Sequence, residues 1–374
     1  MGCAIIYHSK MPDVINLADR IKKQLPAALT SFLPAAGEIA ERRGQALYLV
    51  GGVVRDLLLG RNNLDLDLIV DGDAINLAQQ LNRRYRGSIT THPRFGTAKL
   101  EWDGWSVDLI TARSETYARP GALPRVAPGT LASDLARRDF TINTLAVCLN
   151  PDRYGELIDR HGGVSDLEKK LIRILHENSF VDDATRIWRG LRYEQRLDFT
   201  IEAATLKLLK RNIPRLGTIS GDRIRHELEL VLKEELPEKA LRHAGELGVL
   251  NWLHPSLRGD GWLAERFRQA RELSTPQPPS VGLYLTLLAY RLDDNETKAL
   301  AAKLRLPKTL TGTLKDTASI KAMLSSLCKP GLPHSGVHAI LHGKAPAAIT
   351  ANLLATETPA AQERIRLFLG KLRY

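Results

Sequence analysis

Two carboxylates set one residue apart in an apolar run constrain this chain more than any other feature. Leu64, Asp65, Leu66, Asp67 and Leu68 alternate strictly, so a strand, with its period of two, puts both acids on one face and the leucines on the other. The residues just upstream decide what those acids meet. An apolar run over 47–50 has strand length, Gly51-Gly52 breaks it, and apolar spacing over 53–59 is helical until Gly60 offers a stop. The order is strand, tight turn, helix, turn, second strand. Two adjacent anions repel unless a cation sits between them, and a hard divalent ion such as Mg2+ takes oxygens from one or two carboxylates and from substrate phosphates. Glycine at 51 and 52 lets backbone N–H groups approach a triphosphate, while the next helix points its positive end there with Arg55 in its first turn. Residues 47–70 read as a site for a nucleotide and a metal.

A chain of 374 residues exceeds one ordinary core and suggests two to four modules. Its formal charge of +11 and pI near 9.6 point to an anionic partner, and nucleic acid suits a chain with no lipid-binding signature. A plain basic surface is the alternative. Cys3, Cys148 and Cys328 are too scattered for a disulfide framework or a zinc site, which fits the reducing cytoplasm. No window of about 18 apolar residues offers a membrane span, and the first residues lack the order of a signal peptide.

Residues 1–45 read as a helical leader, with helices over 14–24 and 27–43 parted by Pro26. An amphipathic helix over 74–86 follows the paired acids, and then strands over 89–91, 97–102 and 105–110, the last two joined by the hairpin signal Asp103-Gly104. Asp108 on the third of these is either a further carboxylate beside Asp65 and Asp67 or an exposed strand-end acid. Residues 113–133 lose periodicity, and Pro120, Gly121, Pro124, Pro128 and Gly129 mark a long loop of the kind that is functional or mobile. In DLARRDFTINTLAV, residues 134–147, Asp139 and Asn143 share one face whether the segment is helix or strand, with Arg137 and Arg138 alongside. That cluster suits a phosphate and a ribose, or a salt-bridged helix start.

Beyond residue 150 the composition turns helical. Asp183, Arg186, Arg189 and Arg192 recur every third residue as a polar stripe along one helix, leaving Ile187, Trp188, Leu191 and Leu197 for the core. A stripe of this kind is commonly a solvated face. Lys and Arg recur over 298–329 and 364–374. His334, His338 and His342 sit at helical spacing with no acid to complete a metal set. There is no GxxxxGK[ST] or GxGxxG pattern, which removes P-loop ATPases and Rossmann dehydrogenases. The absence of any His-Asp dipeptide argues against a metal phosphohydrolase, and no Ser/His/Asp set stands out.

GGVVRDLLLG with DLD, then DLARRDFTINTLA, IDRHGGVSDLEKKLIR and DDATRIWRGLRYEQRLDF occur in an order and spacing that resemble the class II tRNA nucleotidyltransferase and bacterial poly(A) polymerase family, over about residues 47–199. The resemblance implies an α+β fold: a leader over 1–45, a DNA polymerase β-like nucleotidyltransferase head over 46–150, a neck over 151–225, and a helical, tRNA-binding body and tail over 226–374. It implies that Asp65 and Asp67 bind the metals, that Gly52 and Arg55 hold the triphosphate, and that Arg138, Asp139 and Asn143 contact phosphates and ribose. It also implies that Asp183 and Arg186 read the base, supported by Arg189 and Arg192. The expected activity is template-independent addition of C and A to tRNA 3′ ends from CTP and ATP, with Mg2+. Poly(A) polymerase is the nearest alternative, and a catalytically silent RNA-binding protein is opposed by the intact Asp65/Asp67 pair. Two motifs depart from the family pattern: Glu-Asp-Pro becomes Asp182-Asp183-Ala184, and Ala-Met after Asn143 becomes Thr144-Leu145. Both bear on how the local helices begin.

Overall fold

The computed structural model describes residues 15–116, 119, 121–122 and 125–372. Cys3, the expected helix start at 14, Pro120 and Pro124 of the loop, and the last two residues of the basic stretch lie outside them. The described residues form two compact units, one of 15–116 with 125–177, the other of 119, 121–122 and 178–372.

The first unit is built on strands β1 (Ala46–Val50), β2 (Leu66–Asp71), β3 (Ser88–His92), β4 (Thr97–Trp102), β5 (Trp105–Thr111), β6 (Arg113–Thr116), β7 (Arg125–Pro128), β8 (Ala146–Cys148) and β9 (Leu157–Ile158). Seven of them make a mixed sheet in the order β3-β4-β5-β2-β1-β8-β9, antiparallel throughout except between β2 and β5. Helices α1 (Ala18–Gln24), α2 (Ala27–Glu41), α3 (Gly52–Leu59) and α4 (Ala74–Tyr85) accompany it, and α2 and α4 pack on the sheet. Leu66 and Leu68 are fully buried, and Phe32 of α2 stacks on Trp102 at 4.6 Å. Val50 and Ile69 meet Leu131 and Leu135 of α5 (Leu131–Ala136) in a separate apolar cluster. The hairpin expected at Asp103-Gly104 forms, with both residues at positive φ (45° and 81°) and Trp102 paired to Trp105.

Two expectations need correction here. Strand β2 begins at Leu66, so Asp65 precedes it and Leu64 is 48% exposed instead of facing the core. Residues 113–133 are not an unbroken loop, because β6 and β7 pair antiparallel from Arg113↔Pro128 to Thr116↔Arg125 and α5 starts at Leu131 behind a Thr130/Ser133 capping box.

The second unit is helical. Helix α6 (Gly163–Glu168) still belongs to the first unit; the second opens with α7 (Ser179–Asp182), α8 (Arg186–Leu197), α9 (Ala203–Asn212), α10 (Gly221–Leu232) and α11 (Pro237–Glu246) and runs to Pro359–Leu367. Trp188, Ile187 and Leu191 of α8 are fully buried, and helices α10 and α11 pack on α8. A later core gathers Ile320, Leu327, Leu341, Ile365 and Phe368. Among the described residues no helix is long and apolar enough to cross a membrane.

Candidate nucleotide and metal site

Asp67 lies level with Asp108 across the parallel β2–β5 pair, and Asp108 lies level with Lys99 across β4–β5, so the three side chains share one face of the sheet. Lys99 Nζ is 3.5 Å from Asp108. Burial holds the Asp67 carboxyl up at about 6; Arg138 pulls it down, and Asp65 and Asp108 push it further up. Asp65 is exposed at the strand mouth, its backbone N–H donating to Asn63 Oδ1 at 2.9 Å. A half-hidden carboxylate crowded by two others is the charge pattern that a divalent cation relieves, and the all-oxygen donor set of Asp65 and Asp67 fits a hard ion. Among the described residues no group of three or more His, Cys, Asp or Glu side chains is arranged to hold a metal.

The glycine turn contributes differently from its sequence. Gly51 caps α3 with φ 77°, a backbone conformation that favours glycine, and a Cβ there would lie 2.7 Å from Arg138 Nη1 and push that guanidinium aside. A Cβ on Gly52 would meet nothing nearer than 3.5 Å, an ordinary contact. Arg55 is buried: Nε and Nη2 hold the Asp56 carboxylate at 2.8 Å each, and Nη1 donates to Asn143 Oδ1 at 2.7 Å. Asn63 Nδ2 donates to Asp56 at 2.7 Å, linking this brace to Asp65 through one side chain.

Asp139 and Asn143 meet, but through neither a helix nor a strand. After α5 the chain turns, Asn143 closes a short 3-10 turn, and its Nδ2 donates to Asp139 Oδ1 at 3.0 Å while Phe140 N–H donates to the same oxygen at 2.8 Å. Both are buried. Arg138 donates from Nη1 to the Asn143 carbonyl at 3.3 Å and from Nη2 to Asp134 at 3.2 Å. The first unit therefore assembles Asp65, Asp67, Gly51, Arg55, Arg138, Asp139 and Asn143 around one turn.

In the second unit the polar stripe is corrected twice. Asp183 is not helical: it sits between α7 and α8 in extended backbone, φ −145°, and α8 begins at Arg186. The stripe is also not a solvated face, because Arg186 and Arg192 are each 5% exposed. Asp183 Oδ1 accepts from Thr185 N–H and Oγ1 at 3.0 and 2.7 Å, and Oδ2 accepts from Arg223 Nη2 at 2.7 Å. Arg186 Nη1 donates to Ser179 Oγ at 2.6 Å. Arg189 is 3.7 Å from Glu227, and Arg192 lies 3.5 Å from Glu234 with its guanidinium 4.7 Å from the Tyr193 ring centre. His338 and His342 stack at 4.4 Å. Sequence reasoning missed Asp134, Arg223 and Asn63; the only signal for the first was its place four residues before Arg138, the spacing of an ion pair on a helical turn.

Residues 47–173 match the model of the poly A polymerase head domain, and residues 198–259 match that of a probable RNA- and SrmB-binding site of polymerase A. An A-adding tRNA nucleotidyltransferase of Geobacter sulfurreducens is 43% identical over 66% of this chain and 28% of its own length. A CC-adding tRNA nucleotidyltransferase of Deinococcus radiodurans is 34% identical over 88% of this chain and 83% of its own. The structure of the Thermotoga maritima CCA-adding enzyme complexed with tRNA-CCA superposes with a TM-score of 0.73 at 30% identity, over 95% of this chain and 85% of that one. The alignment to the Geobacter sulfurreducens relative thus spans under a third of that protein.

Proposed function

As a member of the tRNA nucleotidyltransferase family that is built on the poly(A) polymerase head domain, this chain acts, we propose, as a template-independent enzyme that adds C and A, the whole CCA triplet or part of it, to tRNA 3′ ends from CTP and ATP. The observation that carries the reading is the half-buried Asp67 beside Asp65, with Arg138 over the Gly51 turn. Asp65 and Asp67 would hold the metal, for which Mg2+ is the fitting ion. Bound there, it would offset triphosphate charge and lower the pKa of the RNA terminal hydroxyl. The Gly51 N–H is taken by the Leu145 carbonyl at 3.0 Å, so phosphate oxygens would meet the first-turn N–H groups of α3 from Gly52 onward, and Arg138 adds a positive charge beside them. Asp139 and Asn143 present a bonded amide and carboxylate suited to a ribose hydroxyl. Asp183 and Arg186, with Arg189 and Arg192 behind them, are assigned to the base. The free thiols of Cys148 and Cys328 suit the cytoplasm.

Transcripts ending at the discriminator base, at C and at CC, each incubated with CTP, ATP or both, separate the possible products by length. Addition of one to three defined nucleotides supports the proposal, whereas open-ended A tails on any RNA make it a poly(A) polymerase. Asp67→Ala should lower addition at least about a hundredfold with tRNA affinity retained; robust addition by this variant removes the catalytic assignment.

A further inference from the structure

Asp134, which pairs with Arg138, is itself 0% exposed. A bare carboxylate at such depth is unfavourable unless fully paired, and this one is: Oδ2 accepts from Arg137 Nε and Nη2 at 3.1 and 2.6 Å, and Oδ1 accepts from Arg138 Nη2 at 3.2 Å. Arg137 continues to Glu115 at 3.0 Å, which also pairs with Arg113 at 3.1 Å. Three guanidiniums, of Arg113, Arg137 and Arg138, thus meet these two carboxylates. Arg138 carries positive charge toward the glycine turn: its Nη1 occupies the space a side chain on Gly51 would need. Its remaining holds are few, since Nη1 has only the Asn143 carbonyl at 3.3 Å, and the buried Nε has no partner among the described residues. Without Asp134 a long side chain with several rotatable bonds would be tethered by one long hydrogen bond.

We propose that Asp134 is a positioning residue for nucleotide binding: from the first turn of α5 it fixes the Arg138 guanidinium over the Gly51 turn, so that the cation is in place before the triphosphate arrives. The inference rests on Arg138 contacting the phosphates. Asp134→Asn keeps size and one acceptor but loses the charge, and it should raise the KM for ATP and CTP about tenfold or more, with a smaller change in kcat. Glu115→Gln, at the carboxylate that pairs with Arg113 and Arg137, should leave KM within about twofold and serves as the control for a general charge effect.

A double-mutant cycle decides between direct and indirect roles. If Asp134 acts through Arg138, the Asp134→Asn, Arg138→Ala double variant should have the KM of Arg138→Ala alone. Additive effects overturn the proposal, as does an Asp134→Asn enzyme with unchanged KM beside an impaired Arg138→Ala. A KM unaffected by Arg138→Ala itself instead overturns the phosphate role of Arg138. Should Asp134→Asn fail to fold, Arg138→Lys tests the same point, because a lysine keeps the charge but loses the fork that spans Asp134 and Asn143; wild-type KM in that variant counts against positioning.

Discussion

Asp183 accepts three hydrogen bonds in the second unit and retains capacity for a fourth, since a carboxylate offers about four acceptor positions. If Asp183 and Arg186 read the base as proposed, an acceptor and a guanidinium donor would distinguish bases by polarity. Cytosine N4 and adenine N6 are donors next to an acceptor ring nitrogen, while uracil and guanine present the reverse order, and each mispaired group in a dry pocket costs roughly 1–3 kcal/mol. Asp183→Ala should therefore lose CTP and ATP incorporation and narrow the C/U and A/G ratios, by about tenfold or more. Single-turnover incorporation of all four nucleotides checks this, and unchanged ratios place base selection elsewhere. Arg189→Ala, whose partner is Glu227, should weaken addition without altering the ratios. The residue types were legible in the sequence; their setting was not. A period of three matched a helix, yet the helix starts only at Arg186, because Asp183 turns its carboxylate back onto Thr185 N–H and breaks the repeat.

At the level of elements, α8 and α11 are joined by His243 Nδ1 and Glu194 Oε2 at 2.5 Å, and Glu194 Oε1 also accepts the Ile201 N–H at 3.0 Å. The bond to Glu194 raises the His243 pKa above its usual 6.5. A histidine raised on folding adds stability that is full below about 6.5 and is lost as the pH climbs through the raised native value. His243→Gln should therefore cost about 1 kcal/mol at pH 6 and progressively less in mildly alkaline buffer. Urea melts of both proteins across that range measure it, and a cost independent of pH would assign the contact to packing. Elements were read well where pattern and burial agree: the Asp103-Gly104 hairpin and the one-sided helix α4 both form. They were missed where both faces of a strand are partly open, as in Arg113–Thr116, whose residues Arg, Ser, Glu and Thr show no alternation. Likewise, alternation at 64–68 identified the face of Asp67 but not the first paired residue, Leu66, which is set by its partner Val107 far along the chain on β5.

For the whole molecule, a charge of +11 is significant only where cations remain unpaired. Much of the late basic density is used internally: Lys298 pairs with Asp294, Lys303 lies 3.8 Å over Trp252, and Lys321 donates to the Tyr290 carbonyl. Lys308, Lys315 and Lys329 are exposed. If these reach tRNA phosphates, log K should fall linearly with log salt, and alanine at each should lower the slope by roughly one. An unchanged slope in the triple variant would move the RNA to another surface. The parallel pairing of β2 with β5 has a consequence in time. Asp67 leaves the ribosome about 40 residues ahead of the strand that flanks it, and at roughly 5–20 residues per second that is an interval of some 2–8 seconds. Strand β1 waits more than twice as long for β8. During translation the future active face is an unpaired strand edge, so slow codons before residue 105 would prolong its exposure to aggregation, whereas slow codons after residue 150 would find the sheet already able to close.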